Sequence, residues 1–342
     1  MAHQLNVARI APLVFSFEEY GELAPTTRLI HTVEDAISTD SERRRTLWAA
    51  ARTCRAWAAA VEACLPRVLV VPDMMEARDG DRLRRIIERL EAGGRFGERV
   101  RTLVVDNRPG PRGQVALAPR LVSALGSLKH VRRIVARDST DCAATAGPSL
   151  RQLSLSSLGT VADLNQLLDV AVSVDELEIG RGGVGVVGRW AELHASPRVL
   201  HMKQGHYGLL RPLDCTSLER LAVMTPGLRD LTQWFASAGS GAFGRLHHLE
   251  LHSVALDSNE EPASASGLLT SLPASIRYLH LSLLVRERSS HGLAVESLYA
   301  EFGSLAILPN LRSFHFTTRG DTVNPNFPLR PGVTITLHRV LQ

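Results

Sequence analysis

The chain has 342 residues, 44% of them hydrophobic and 22% charged, with a formal net charge of +4. Those proportions fit a chain that buries a core and exclude a disordered, strongly charged one. No apolar run reaches the roughly 18 residues that a membrane helix needs, so no span is expected.

Residues 1–22 read as an N-terminal extension. Its short apolar patch is followed by Glu18 and Glu19 and shows no small-residue cleavage site, so a signal peptide is not expected. The four cysteines, Cys54, Cys64, Cys142 and Cys215, form no C-x-x-C pair. Without a signal they read as reduced thiols, which points to the cytoplasm or nucleus.

Residues 23–66 read as a short helical segment. "TTRLIHTVEDAI" sets Leu29, Ile30, Val33 and Ala36 at helical spacing. "SERRRTLWAAARTCRAWAAAVEACL" sets Leu47, Ala50, Cys54, Trp57 and Val61 on one face of a second helix. Helices this small bury little surface alone, so they must dock on something larger. Pro66 and "RVLVV" then open a strand.

Most of the positive excess falls within residues 73–140, largely in "DRLRRIIERL" and its neighbours. Leu83, Ile86, Ile87 and Leu90 give that stretch an apolar face, and its arginines are the solvated outer face such a helix requires. Nucleic acid is therefore not expected as a partner. Of the 39 basic residues only Lys129 and Lys203 are lysines, a bias that a GC-rich genome produces.

From residue 67 to 342 one pattern recurs, apolar-x-x-apolar-x-apolar. Copies begin at Val100, Leu150, Val174, Leu218, Leu246, Ile276 and Leu311, with weaker copies at Val131 and Pro197. The last four residues of each copy alternate with the two-residue period of a strand. Helical stretches lie between, such as "VADLNQLLDVAV", with Leu164, Leu167, Leu168 and Ala171 on one face, and "GLRDLTQWFASAG", with Leu228, Leu231 and Phe235. Spacing runs from 19 residues (Val131 to Leu150) to 35 (Ile276 to Leu311). The core of that range is the period of leucine-rich repeats, which the chain resembles. The expected fold is α/β: an irregular leucine-rich-repeat solenoid with strand plus helix per repeat, preceded by the short helical segment. "NPNFPLRPGVTITLHRV" reads as a C-terminal cap, with Val333, Ile335 and Leu337 alternating inward.

Within this ladder "VDELEIGRGGVGVVGRW" holds a literal G-x-G-x-x-G at Gly183, Gly185 and Gly188. A dinucleotide site also needs a long following helix and an acidic residue after the next strand. Pro197 stops the helix early, and that strand ends in Lys203 and Gln204. The glycines are expected to form a turn, and no cofactor is expected. The alternative they leave open is an NADP-binding enzyme using the Gly180–Gly188 loop. No G-x-S-x-G, H-E-x-x-H or Walker loop occurs, so no catalytic residue is assigned and the chain is not expected to be an enzyme.

Strand alternation places the residues between the leucines on the outer, concave side. They are Glu176 and Glu178, His201 and Lys203, Arg220 and Met224, His248, Glu250 and His252, Tyr278 and His280, then Ser313 and His315. Strands lie about 4.8 Å apart, so Glu250, His280 and His315 should form a contiguous column flanked by His248 and His252. Histidine with carboxylate can hold a divalent metal or make a pH-sensitive patch. Protein recognition is the expected role of this face, and no metal is assigned to it.

"LWAAARTCRAW", ending in Cys54-Arg55-Ala56-Trp57, resembles the second half of an F-box. With "LPRVLVV" and the repeats behind it, the layout resembles the F-box-like, leucine-rich-repeat proteins of basidiomycete fungi. That family opens on Leu-Pro-x-Glu-Ile, where this chain has Leu23-Ala24-Pro25-Thr26-Thr27. The resemblance implies a non-catalytic substrate receptor. Its F-box-like helices would bind the Skp-type adaptor of a cullin–RING ubiquitin ligase through Leu29, Ile30, Val33, Leu47, Cys54 and Trp57. The repeats would hold the protein to be modified. A leucine-rich-repeat scaffold with no ligase role is the alternative.

Overall fold

The computed structural model describes Ala49, Arg52 and residues 67–71, 80–93, 95–105, 119–137, 145–158, 161–170, 174–182, 196–204, 215–224, 231–232, 235–236, 242–255, 268–284, 308–319 and 332–340. Residues 1–150 and 151–342 form two compact units. Among the described residues no helix is long and apolar enough to cross a membrane. Of the 23–66 segment only Ala49 and Arg52 are described. Ala49 is helical and its carbonyl accepts a hydrogen bond from the Arg52 amide. Leu29, Ile30, Val33, Leu47, Cys54 and Trp57 lie outside the described residues.

The first unit carries strands β1 (Arg67–Val71), β2 (Val100–Val105) and β3 (Arg133–Ala136), paired in parallel and in chain order. Helices α1 (Gly80–Glu91) and α2 (Arg95–Glu98) precede β2, and α3 (Pro119–Leu125) precedes β3. Parallel neighbours need a crossover of about a dozen residues or more, and helices fill these crossovers. Helix α1 buries Ile86, Ile87 and Leu90 and exposes Arg82, Arg84, Arg85 and Arg89, the solvated basic face expected of it. Leu83 is half-buried at the edge of the apolar face. Asp81 in the first turn and Arg89 in the last complement the helix dipole. The helix stops at Gly93, whose φ of 67° suits a residue without a Cβ.

On one face of this ladder Leu103 and Ile134 are paired and fully buried, as the repeat pattern requires. The opposite face is not polar here. Val70, Val104 and Val135 stand in register, and Val104 and Val135 are buried.

The second unit carries β4 (Gln152–Leu158), β5 (Glu176–Gly182), β6 (Val199–Gln204), β7 (Arg220–Met224), β8 (His248–Ala255), β9 (Tyr278–Leu284), β10 (Ser313–Arg319) and β11 (Thr334–Val340). Each pairs in parallel with the next. Helix α4 (Val161–Val170) lies between β4 and β5 and buries Leu167 and Leu168. Helix α5 (Leu268–Ser271) lies before β9. Leu231 and Phe235 are also buried, as their spacing predicts, and the Phe235 ring sits 5.1 Å from that of Phe243.

Two apolar rows run across these strands. Leu153, Leu177, Leu200, Leu221, Leu249, Leu279 and Phe314 are in register, and so are Leu155, Ile179, Met202, Val223, Leu251, Leu281 and Phe316. Every one of them is buried. Each such side chain removed from water stabilises the fold by about 1.5–3 kcal/mol before entropy is set against it. The rows weaken at the end of the ladder: Val333, just before β11, and Ile335 within it, both expected to point inward, are only half-buried.

A turn recurs just ahead of the strands. The amides of Leu150, Leu218, Leu246, Ile276 and Leu311 donate to the carbonyls of Gly147, Cys215, Phe243, Pro273 and Leu308, three residues earlier. A second hydrogen-bond pattern then ties each strand start to the previous one. His247 and His248 both donate to Glu219, Arg277 and Tyr278 to His247, and Arg312 and Ser313 to Arg277. Sequence periodicity exposed the apolar positions but not this connecting geometry.

Candidate functional site

Alternation sends the residues between the buried rows to the opposite face. There Ser154, Glu178, His201, Ala222, Glu250, His280, His315 and Thr336 stand in register from β4 to β11. The expected column of Glu250, His280 and His315 is therefore present. Ala222 on β7, buried, divides the row into two polar groups.

The first group is a set of short side-chain hydrogen bonds between β4 and β5. Gln152 Nε2 donates to Glu176 Oε2 at 2.6 Å, and Ser154 Oγ donates to Glu178 Oε2 at 2.8 Å. His201 pairs with Glu178 across β5 and β6, and Arg220 pairs with His248 across β7 and β8. The backbone of Lys203 lies in β6, and its side chain is outside the described residues.

The second group is denser. On β8, His248 Nε2 lies 2.6 Å from Glu250 Oε1, and His252 Nε2 lies 2.9 Å from Glu250 Oε2. An ionised carboxylate only accepts, so each of these nitrogens carries the proton. Burial pushes the Glu250 carboxyl up. Hydrogen bonds from His248 and His252, with their charge when protonated, outweigh burial and hold it well below the usual carboxylate range.

Neighbouring rings fix these imidazoles. Tyr278 on β9 stacks on His248 with centroids 4.1 Å apart, and His280 meets His252 edge-on at 4.8 Å. His315 on β10 lies 5.2 Å from Tyr278 and 6.2 Å from His280. His280 Nε2 is also 3.3 Å from Thr317 Oγ1. Burial, reinforced by the Glu250 charge, raises the Tyr278 phenol above its ordinary value.

The ladder is irregular at this point. Leu251 pairs with Leu281, but the next pair is Val254 with Leu283, so β8 carries an extra residue between them. Such bulges bend a strand and re-aim side chains. His252 sits inside this one. Glu250, His252 and His280 each place one donor atom within 4.8 Å of the other two, a set that could hold a metal ion.

The structure thus brings together His248, Glu250, His252, Tyr278, His280 and His315 on three adjacent strands, and holds Glu176, Glu178, His201 and Arg220 on the strands before them. Sequence reading missed Thr317, the bulge, and the way Glu250 engages both histidines of its own strand. An i, i+2 alternation of His, Glu and His was the available signal, since those three side chains share one face. It also missed a cleft of about 430 Å³ at the turns before the strands, lined by Glu219, Arg245, His247, Ser275, Arg277 and Asn310. There Arg198 pairs with Glu219 at 2.9 Å and, with the Arg198 hydrogen bond as the main cause, holds its carboxyl below the ordinary value.

Of the glycine loop, Gly180 and Gly182 end β5, and Gly183, Gly185 and Gly188 lie outside the described residues. A Cβ on Gly180 would collide with the Ser156 carbonyl oxygen, so close approach of β4 explains that glycine without a ligand. No protein-family model matches the chain, and no curated protein matches it.

Proposed function

We propose that the chain is a non-catalytic recruitment protein: an irregular leucine-rich-repeat solenoid whose polar strand face holds a protein substrate, tethered to a ubiquitin ligase by the F-box-like segment at 23–66. One observation carries the recognition half. Parallel strands in chain order bury apolar rows on one side and present an in-register set of Glu, His and Tyr on the other, a preorganised surface of the kind proteins use to bind proteins. The recurring turn and the recurring hydrogen bond between strand starts support the repeat reading. The Cys54-Arg55-Ala56-Trp57 motif supports the adaptor half. Such a receptor would act by proximity, raising the concentration of its substrate beside the ligase.

The test is a pull-down of the full chain with a fungal Skp adaptor, beside a Leu47→Asp variant whose folding is checked by circular dichroism. The expected result is adaptor capture by the parent and none by the folded variant. A parent that captures no adaptor leaves a leucine-rich-repeat scaffold whose polar strand face is its working surface.

A further inference from the structure

We propose that Glu250, His252 and His280 bind one divalent transition-metal ion of the zinc class, through one carboxylate oxygen and two imidazole nitrogens. The donor chemistry suits it: two imidazoles and a carboxylate form a borderline N/O set that zinc, copper(II) and nickel take and magnesium or calcium does not favour. The three donors come from adjacent strands, with Glu250 and His280 directly paired. Each lies within 4.8 Å of the others. Ligands bound at about 2.0–2.1 Å to one tetrahedral ion stand roughly 3.4 Å apart. The contact between His252 and Glu250 is already tighter than that, at 2.9 Å, and a His280 donor lies within 4.8 Å of both.

Two further features point the same way. The bulge in β8 re-aims His252 at the point where it meets His280. The second oxygen of Glu250 is held by His248, whose ring is clamped on Tyr278, which is the kind of support that orients a metal-binding carboxylate. The Glu250 and His252 side chains are 18% and 26% exposed, open enough for an ion to enter and covered enough to stay ordered. The groups on Glu250 are imidazoles, which are ligands in their neutral form. The proton between His252 and Glu250 can therefore be exchanged for an ion, which leaves a fourth position to water.

The purified full chain, stripped with chelator and dialysed, is titrated with zinc by calorimetry. One ion per chain is expected, with a rise in melting temperature, and cobalt(II) in its place should show visible d–d absorption. His280→Ala and Glu250→Gln should each weaken zinc binding by more than about tenfold, the loss that even changes to supporting residues cause. His130→Ala, an exposed histidine of the other unit, should bind as the parent does. Zinc-edge absorption on the parent should report only nitrogen and oxygen ligands, a readout that stands even if a variant fails to fold. No uptake by the parent, uptake that both site variants leave unchanged, or sulfur in the first shell would overturn the proposal. Uptake is read on the isolated chain, so this result is independent of adaptor binding.

Discussion

A methyl group at residue 180 would have to displace the backbone of β4, because the Ser156 carbonyl is already at the place a Cβ would occupy. Gly180→Ala should therefore cost about 1–3 kcal/mol, the usual scale of overpacking. The measurement is the urea midpoint at unchanged slope, and a parent-like midpoint would show that β4 and β5 part without cost. Nothing in "LEIGRGG" reveals this constraint, since the clashing atom belongs to a residue 24 positions earlier. Arg198 offers a second test. Its hydrogen bonds depress the folded pKa of Glu219 below the ordinary carboxylate value of about 4.3. The stabilisation is therefore present above that pH and is lost as pH falls through the folded pKa. Arg198→Gln should melt below the parent near neutrality, by less than about 1 kcal/mol because Arg198 is 58% exposed. The two melting curves should converge in acid. A gap that persists in acid would mean Arg198 acts through packing instead.

Strands in the second unit touch mainly their neighbours, and this sets how substitutions combine. Leu249→Ala and Leu279→Ala each open a cavity beneath paired strands and should cost about 2–5 kcal/mol. Made together, they share one cavity and should depart from additivity by about 0.5–3 kcal/mol. Leu153→Ala lies five strands from Leu279 and should add to it within about 0.5 kcal/mol. Denaturation of the single and double variants checks this, and equal coupling in the near and far pairs would contradict a neighbour-to-neighbour ladder. The apolar rows behind this prediction were legible, because three spaced apolar residues per copy fix both a strand and its inward face. The β8 bulge was not. Its extra residue falls after the last apolar position of the copy beginning at Leu246, where the pattern carries no further information.

At the scale of the whole molecule, the sequence revealed the succession of strands and the chemistry of one face. It did not reveal that the face changes character. The position between the two inward apolar residues carries the buried Val104 and Val135 in the first unit and mostly Glu and His in the second. The repeat pattern is silent about those intervening positions, which respond to whatever covers them. The Glu250 cluster was half legible: register brought its column together, while the hydrogen bonds within β8 depend on side-chain rotation that no spacing encodes. The rows also say how such a chain can change over time. Within the second unit, distances between copies already run from 21 residues (Pro197 to Leu218) to 35 (Ile276 to Leu311) while the paired rows remain in step. Residues can therefore be gained or lost between strands with little effect on the display. A residue gained or lost within a regularly paired strand turns the later side chains of that strand to the opposite face unless a bulge, as in β8, absorbs it. Variation in length should collect in the connections, and regularly paired strands should change mainly by substitution.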